Sequence, residues 1–141
     1  MDFKKDGSDY FLHHCVVVAN HLIKNKHNFI GANHWKSMFI QEIFDKMIAA
    51  AYLHDVLEDT NETLENFDNT VVSIVKELTK KEETYFDYIN RLTCINNCTI
   101  KCAAIAIKLA DLECNMSTLK EGSLKDKYRF AHHVLLRYIN E

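Results

Sequence analysis

The sequence predicts an all-α fold, a single bundle of about six or seven helices over residues 1–141. Proline is absent and glycine occurs at only 3 positions, Gly7, Gly31 and Gly122. With so few residues that interrupt a helix, long helices are favoured over turn-rich β-structure. Apolar side chains recur at helical spacing, and no alternating strand pattern or hairpin signal stands out. Hydrophobic residues make up 48% of the chain, enough for one continuous core.

The predicted helices follow one another along the chain, with a loop that contains Gly31 and several asparagines between the first and the second. The later half of the second helix, MIAAAYLHDVL, is apolar nearly all round, which indicates a helix buried in the centre of the domain. Asp68 is a candidate N-cap for a later helix whose apolar face extends to Leu78. The predicted ranges are 9–24, 38–57, a short turn capped by Thr60 or Asn61 and running to Leu64, then 68–78, 84–92, 100–116 and 124–139.

Charge and hydropathy narrow the class of protein. The formal net charge is −3 and no face is obviously basic, which argues against a nucleic-acid polymer as the main partner. No apolar run approaches the roughly 18 residues of a membrane span, and the segment MDFKKDGSDY lacks the apolar stretch of a secretory signal. We therefore expect a cytoplasmic protein with neither a membrane nor a nucleic-acid partner.

Five cysteines are present without a secretory signal, a combination that fits a reducing compartment. Cys94, Cys98 and Cys102 are four residues apart, but the CxxC pairs typical of thiolate metal sites are absent. We expect these cysteines to be small packing residues on a buried helical face, without a chemical function.

Charged residues occur in two helices that should be buried. An ionised side chain in an apolar setting costs several kcal/mol unless it is paired or bound to a metal. Adjacent His54 and Asp55 could reach one ion near the end of their helix, with Asp111 as a second carboxylate and a histidine of the first helix completing the set. Such a set suits Mn²⁺, Fe²⁺ or Zn²⁺ rather than Ca²⁺. The two groups of charged residues are His54, Asp55, Glu58 and Asp59, and Lys108, Asp111 and Glu113.

Two sequence strings carry a family resemblance. His14, the pair His54–Asp55 and Asp111 follow the order of the H…HD…D signature and resemble the HD superfamily of phosphohydrolases. The string AAYLHDVLEDT at 50–60 resembles the corresponding segment of the guanosine tetraphosphate (ppGpp) hydrolase domains of RelA/SpoT-type proteins. The string IKLADLECNM at 107–116 resembles the second motif of the same domain. The resemblance spans about residues 10–130 and is closest to small, stand-alone alarmone hydrolases.

The resemblance implies a metal-dependent hydrolase that removes a phosphate or pyrophosphate group from a small anionic nucleotide, with ppGpp as first choice. It implies that His14, His54, Asp55 and Asp111 are the metal ligands. Mn²⁺ is the expected ion, with Zn²⁺, Fe²⁺ or Mg²⁺ as alternatives. Such an ion lowers the pKa of water and polarises a phosphoryl oxygen.

The resemblance also implies catalytic and substrate-binding residues. Glu58 and Asp59 match the acidic pair that orients or deprotonates the attacking water. Asn115 matches a residue that lines the nucleotide site, with capping of its helix as the alternative. Tyr128 matches an aromatic residue near the base or ribose, and Lys5 belongs to the basic amino-terminal segment that meets the phosphates.

Several alternatives stay open from the sequence alone. His13 instead of His14 can be matched to the first ligand position, and Lys108 is either a snorkelling side chain or a substrate ligand. The basic amino-terminal loop is reduced to Lys4 and Lys5, which puts ppGpp as the substrate in question. The competing functions are hydrolysis of a deoxynucleotide, cyclic nucleotide or other phosphoester, and a non-catalytic module that senses a nucleotide or binds a partner protein.

Overall fold

The computed structural model describes residues 7–29, 40–55 and 67–140, with side chains in 13–25, 43–55 and 67–140. Six α-helices occupy these ranges and no strand occurs within them, which confirms the predicted all-α fold. In the same ranges, no helix combines the length and the apolar character that crossing a membrane requires. The helices are α1 (Gly7–Phe29), α2 (Ile40–Leu53), α3 (Asn69–Leu78), α4 (Tyr85–Thr93), α5 (Cys98–Met116) and α6 (Ser123–Asn140).

Three helices begin at polar side chains that cap their free backbone N–H groups. Oδ1 of Asp68 accepts a hydrogen bond from the N–H of Thr70 at 2.8 Å, which confirms the predicted cap of α3. Thr84 and Asn97 cap α4 and α5 by accepting from the N–H three residues further on, each at 3.0 Å. A cap of this kind stabilises a helix by about 1 kcal/mol. These three caps fix where α3, α4 and α5 begin.

Helix α5 lies in the centre of the bundle and contacts all five other helices. Ten of its side chains are buried, and nine of them are apolar. Its alanines lie on several sides of the helix, so neighbouring helices can approach closely while isoleucine and leucine fill the remaining space. The tenth buried side chain is Asp111. A buried carboxylate in such a setting requires partners, and they define the site described below.

Helix α2 ends at Leu53, so the prediction that it includes His54 and Asp55 was wrong, and its predicted end at Leu57 lies outside the described residues. His54 and Asp55 lie in the turn that follows. The Nδ1–H of His54 donates to the backbone oxygen of Ala51 at 2.6 Å. In a continued helix that oxygen would accept the backbone N–H of Asp55. The His54 side chain therefore takes the place of the next helical hydrogen bond.

Helix α1 continues to Phe29, beyond its predicted end at Lys24, but it is kinked at Asn25. Asn25 has non-helical angles (φ −116°, ψ 22°), and its Nδ2 donates to the backbone oxygen of His21 at 3.0 Å. A side-chain amide that bonds the preceding turn competes with the regular backbone pattern. The kink therefore lies next to the predicted helix end.

The later helices begin and end within two residues of the predicted ranges, a difference expected at helix ends. Two predicted features lie outside the described residues. They are the start of the second helix near Met38 and the turn from Thr60 or Asn61 to Leu64.

The prediction for three of the cysteines was wrong. Cys94 is the C-cap of α4, so it does not share a helical face with Cys98 and Cys102, which lie four residues apart on α5. Cys94 and Cys98 are exposed, and Cys102 is half-buried. Burial and the neighbouring Cys98 raise the pKa of Cys102 to about 11, so it remains a thiol. The break between α4 and α5, which the four-residue spacing does not reveal, explains the difference for Cys94, and Cys98 is exposed at the first residue of α5.

Candidate metal centre

Four predicted metal ligands meet inside the bundle. His14 lies on α1, His54 and Asp55 lie in the turn after α2, and Asp111 lies on α5. Helices α1 and α2 pack against each other and against α5, so the three segments converge. We call His14, His54, Asp55 and Asp111 the inner cluster.

The polar atoms of the inner cluster converge on a small volume. Nε2 of His14 lies 2.7 Å from Oδ1 of Asp111 and 3.8 Å from Oδ2 of Asp55. Nε2 of His54 lies 3.2 Å from Oδ2 of Asp55 and 3.6 Å from Oδ1 of Asp111. One ligand atom from each of His14, His54 and Asp55 lies within 4.8 Å of the other two. A single ion can therefore be reached by both histidines and Asp55, with Asp111 beside them.

The ring of His54 is held in one orientation, and its Nε2 atom is directed at the carboxylates of Asp55 and Asp111. Its Nδ1–H is held by the backbone oxygen of Ala51, which leaves Nε2 turned toward the carboxylates. Nε2 is buried and no described residue forms a hydrogen bond of good geometry with it, even though Asp55 is close. Leaving such a group unpaired costs about 1–3 kcal/mol. A metal-binding histidine typically donates its other ring N–H to a carbonyl in this way.

Opposite charges are concentrated in the inner cluster. Burial lowers the pKa of His54, but the carboxylates of Asp111 and Asp55 outweigh burial and hold this pKa well above 6.5. Burial raises the pKa of Asp111, yet Lys108 and the two histidine rings hold it well below its ordinary value. Asp111 is therefore a carboxylate at neutral pH. A cation bound at the cluster would take the place of the proton on His54.

The donor set fits a divalent transition metal. Two imidazole nitrogens and two carboxylate oxygens suit Mn²⁺, Fe²⁺ or Zn²⁺, whereas Ca²⁺ takes oxygen ligands. Of the two adjacent histidines on α1, His13 is exposed and His14 is the one that reaches Asp111. The geometry therefore favours His14 as the first ligand, and the identity of the metal stays a prediction.

A cavity of about 260 Å³ opens beside the inner cluster. Three ammonium groups near a metal site create a positive field that attracts an anion. The sequence pattern did not reveal Lys80, Lys127 or Tyr85, because they come from a loop and two different helices that meet only in the fold. The lysines and tyrosines that line the cavity are Lys80, Lys108, Lys127, Tyr85, Tyr88 and Tyr128.

Two predicted substrate-binding residues lie at or near the cavity. Nδ2 of Asn115 donates to Oδ1 of Asp111 at 3.4 Å, and Ser117 rather than Asn115 is the C-cap of α5. The capping alternative for Asn115 was therefore wrong. Tyr128 lines the cavity, with its ring 5.8 Å from that of Tyr85. Three predicted site residues, Glu58, Asp59 and Lys5, lie outside the described residues.

A second group of histidines and a carboxylate joins α1, α5 and α6 nearer the surface. Nε2 of His21 lies 2.9 Å from Oε1 of Glu113, and Nε2 of His132 lies 2.7 Å from Oε2 of the same residue. The three side chains are 30%, 32% and 20% exposed, in the order His21, Glu113, His132. We call these three residues the outer cluster. No sequence motif indicates a role for His21 or His132.

Comparisons with known proteins give no family assignment. No protein-family model matches the chain. No curated protein and no solved structure matches it either. Function is therefore inferred from the inner cluster, its cavity and the sequence resemblance.

Proposed function

We propose that the chain is a metal-dependent phosphohydrolase of the HD type that acts on a small anionic nucleotide. The observation that carries this proposal is the convergence of His14, His54 and Asp55, with Asp111 beside both histidines and with Nε2 of His54 buried and without a hydrogen bond of good geometry in the described part of the chain. His14 and Asp111 are 97 residues apart in sequence, so only the fold brings them together. A purely structural ion-pair cluster would normally satisfy a buried nitrogen.

The residues of the proposed site have distinct tasks. His14, His54, Asp55 and Asp111 would hold a divalent ion, which would lower the pKa of a water molecule and neutralise charge on a phosphoryl oxygen. The hydrogen bond to Ala51 keeps the His54 ring in its orientation before any ligand arrives. Glu58 and Asp59 are the proposed proton acceptors on the strength of the family resemblance.

The lysine-lined cavity supports an anionic substrate. Nζ of Lys127 lies 4.3 Å from the ring centre of Tyr85, and Nζ of Lys108 lies 5.8 Å from it. The cavity volume of about 260 Å³ is close to the roughly 300 Å³ at the lower end of small-molecule sites. Lys80 and Lys127 line the cavity and provide positive charge in addition to Lys4 and Lys5 of the sequence. We therefore retain ppGpp as the first substrate to test.

The test is a turnover assay on the full chain loaded with Mn²⁺, Mg²⁺ or Zn²⁺. The substrates are ppGpp, deoxynucleoside triphosphates and cyclic nucleotides. We expect release of pyrophosphate from ppGpp that is lost on chelation and in Asp55→Ala, but kept in Asp87→Asn, which changes an exposed carboxylate on α4. If another nucleotide is hydrolysed and Asp55→Ala abolishes that activity, ppGpp is the wrong substrate but the proposed metal-dependent hydrolysis stands. If the metal-loaded wild-type chain turns over none of them, the proposed hydrolase is wrong.

A further inference from the structure

The two carboxylate oxygens of Asp111 have different partners, and Lys108 binds one of them. Lys108 lies on α5, three residues before Asp111, and its Nζ donates to Oδ2 of that carboxylate at 3.0 Å. The other oxygen, Oδ1, faces Nε2 of His14 at 2.7 Å and Nε2 of His54 at 3.6 Å. The ammonium therefore leaves one oxygen of Asp111 directed at the inner cluster. Of the two alternatives left open for Lys108, the snorkelling side chain was wrong, since the side chain is only 14% exposed.

The surroundings of Lys108 keep it charged. Its Nζ lies 5.1 Å from the ring centre of Tyr88 and 5.8 Å from that of Tyr85, within the range of a cation–π contact. The same Nζ lies 3.0 Å from Oδ2 of Asp111, so the ammonium has a carboxylate partner beside the two phenol rings. The pair therefore consists of an ammonium and a carboxylate at neutral pH.

Lys108 also faces the cavity beside the inner cluster. An ammonium has three N–H donors, and Asp111 accepts a hydrogen bond from one of them. The side chain thus contacts a proposed metal ligand on one side and the proposed substrate cavity on the other. A phosphate bound at the metal would lie next to this ammonium.

Resting on the proposed function, we propose that Lys108 is a positioning residue that makes Asp111 a one-oxygen metal ligand and keeps the loaded site positive for an anionic substrate. Two carboxylates balance the two charges of a divalent ion, so without Lys108 the loaded inner cluster is formally neutral. With Lys108 it carries one positive charge.

Removal of Lys108 should therefore affect metal binding and turnover in opposite directions. Asp111 would lose its competing ammonium, so its carboxylate should bind a cation more strongly, by roughly tenfold or more in Kd. The substrate phosphate would lose a positive partner, so kcat/KM should fall by about 10- to 100-fold. A residue that only supported the packing of α5 would weaken metal binding and turnover together.

The experiment compares full-length wild type with Lys108→Met, Lys108→Gln and Lys108→Arg. Lys101→Met is the control, because Lys101 lies seven residues earlier on α5 and contacts the ring of Tyr138. The dissociation constant for Mn²⁺ alone is measured by electron paramagnetic resonance, and the rise in Tm on adding Mn²⁺ is measured in parallel. Turnover is measured on the nucleotide that wild type hydrolyses.

We expect a lower Kd for Mn²⁺ and a larger rise in Tm in Lys108→Met and Lys108→Gln, with lower turnover. Lys108→Arg should keep the wild-type Kd, and Lys101→Met should match wild type in every measurement. If neutral variants bind Mn²⁺ as wild type does or more weakly, the role of Lys108 is wrong even though the hydrolase proposal stands. The Kd for Mn²⁺ is measured without any substrate. It therefore still tests the role of Lys108 if the protein does not hydrolyse ppGpp. If wild type binds no metal at the inner cluster, both proposals fail.

Discussion

The inner and outer clusters use the same residue types on the same two helices, yet their surroundings differ. In both clusters a histidine of α1 meets a carboxylate of α5, His14 with Asp111 and His21 with Glu113. In the outer cluster each oxygen of Glu113 has its own histidine partner. In the inner cluster two histidines and a second carboxylate crowd around Asp111, and a cavity opens beside them.

The difference lies in which polar atoms are satisfied. The outer cluster is a closed set of hydrogen bonds that joins α1, α5 and α6, so it needs nothing more to be stable. The inner cluster leaves Nε2 of His54 buried, near the Asp55 carboxylate but without a hydrogen bond of good geometry in the described part of the chain. Histidines and carboxylates in contact are therefore weak evidence for a metal by themselves. The unpaired nitrogen and the adjacent cavity distinguish the proposed centre.

The largest predicted effect compares Asp111→Asn with Glu113→Gln on the same helix. Asp111→Asn removes the negative charge of a proposed metal ligand. Loss of a residue that only supports a ligand costs up to about 100-fold, so metal content and turnover should each fall by more than that. Glu113→Gln should stay within about threefold of wild type, because its carboxylate lies outside the inner cluster. Elemental analysis of the dialysed protein and the turnover assay give the two readouts. Equal losses in both variants would show that the two clusters are not functionally distinct.

A smaller effect on stability should identify the outer cluster as a structural link. Glu113→Ala removes the hydrogen bonds to His21 and His132. Because all three side chains are partly exposed, these bonds stabilise the fold only modestly, and the free energy of unfolding should fall by about 1–2 kcal/mol. Urea denaturation should show a lower midpoint with an unchanged slope. The Kd for Mn²⁺ should be unchanged. A weaker Kd in Glu113→Ala would mean that the outer cluster also positions the metal ligands.

The sequence predicted the all-α fold, most helix ranges and the four residues of the inner cluster. Helical periodicity succeeded on α5 because its burial is nearly complete, which leaves Asp111 as a clear exception. The turn at His54 escaped prediction, because it depends on a side-chain bond to Ala51 that competes with the helix. The partners of Glu113 lie 92 residues before it and 19 residues after it, so only the packing of three helices reveals them.

The smallest predicted effect concerns a satisfied network away from both clusters. Arg91 on α4 bonds Glu83 at 3.0 Å and Glu77 at 3.1 Å, joining α4 to the end of α3. Arg91→Met should lower the free energy of unfolding by about 0.5–1 kcal/mol, because the ion pairs are partly exposed. The Kd for Mn²⁺ should not change. A change in Kd would show that satisfied networks also influence the inner cluster.

The same network gives a pH dependence whose direction follows from the pKa of Glu83. The hydrogen bond from Arg91 lowers this pKa. The ionised carboxylate therefore stabilises the fold fully at pH values above the ordinary glutamate pKa of about 4.3. That contribution is lost as the pH falls through the lowered pKa. The stability difference between wild type and Arg91→Met should therefore shrink in acid. A difference that is constant from pH 7 to about pH 3 would contradict the assigned ion pair.

The most direct test of the central claim is an anomalous-scattering map from crystals of the full chain grown with Mn²⁺. We expect one strong peak about 2.0–2.3 Å from Nε2 of His14, Nε2 of His54 and a carboxylate oxygen each of Asp55 and Asp111. The same map separates His14 from His13 as the ligand. No peak at the inner cluster, or a peak bound by the outer cluster instead, would contradict the account.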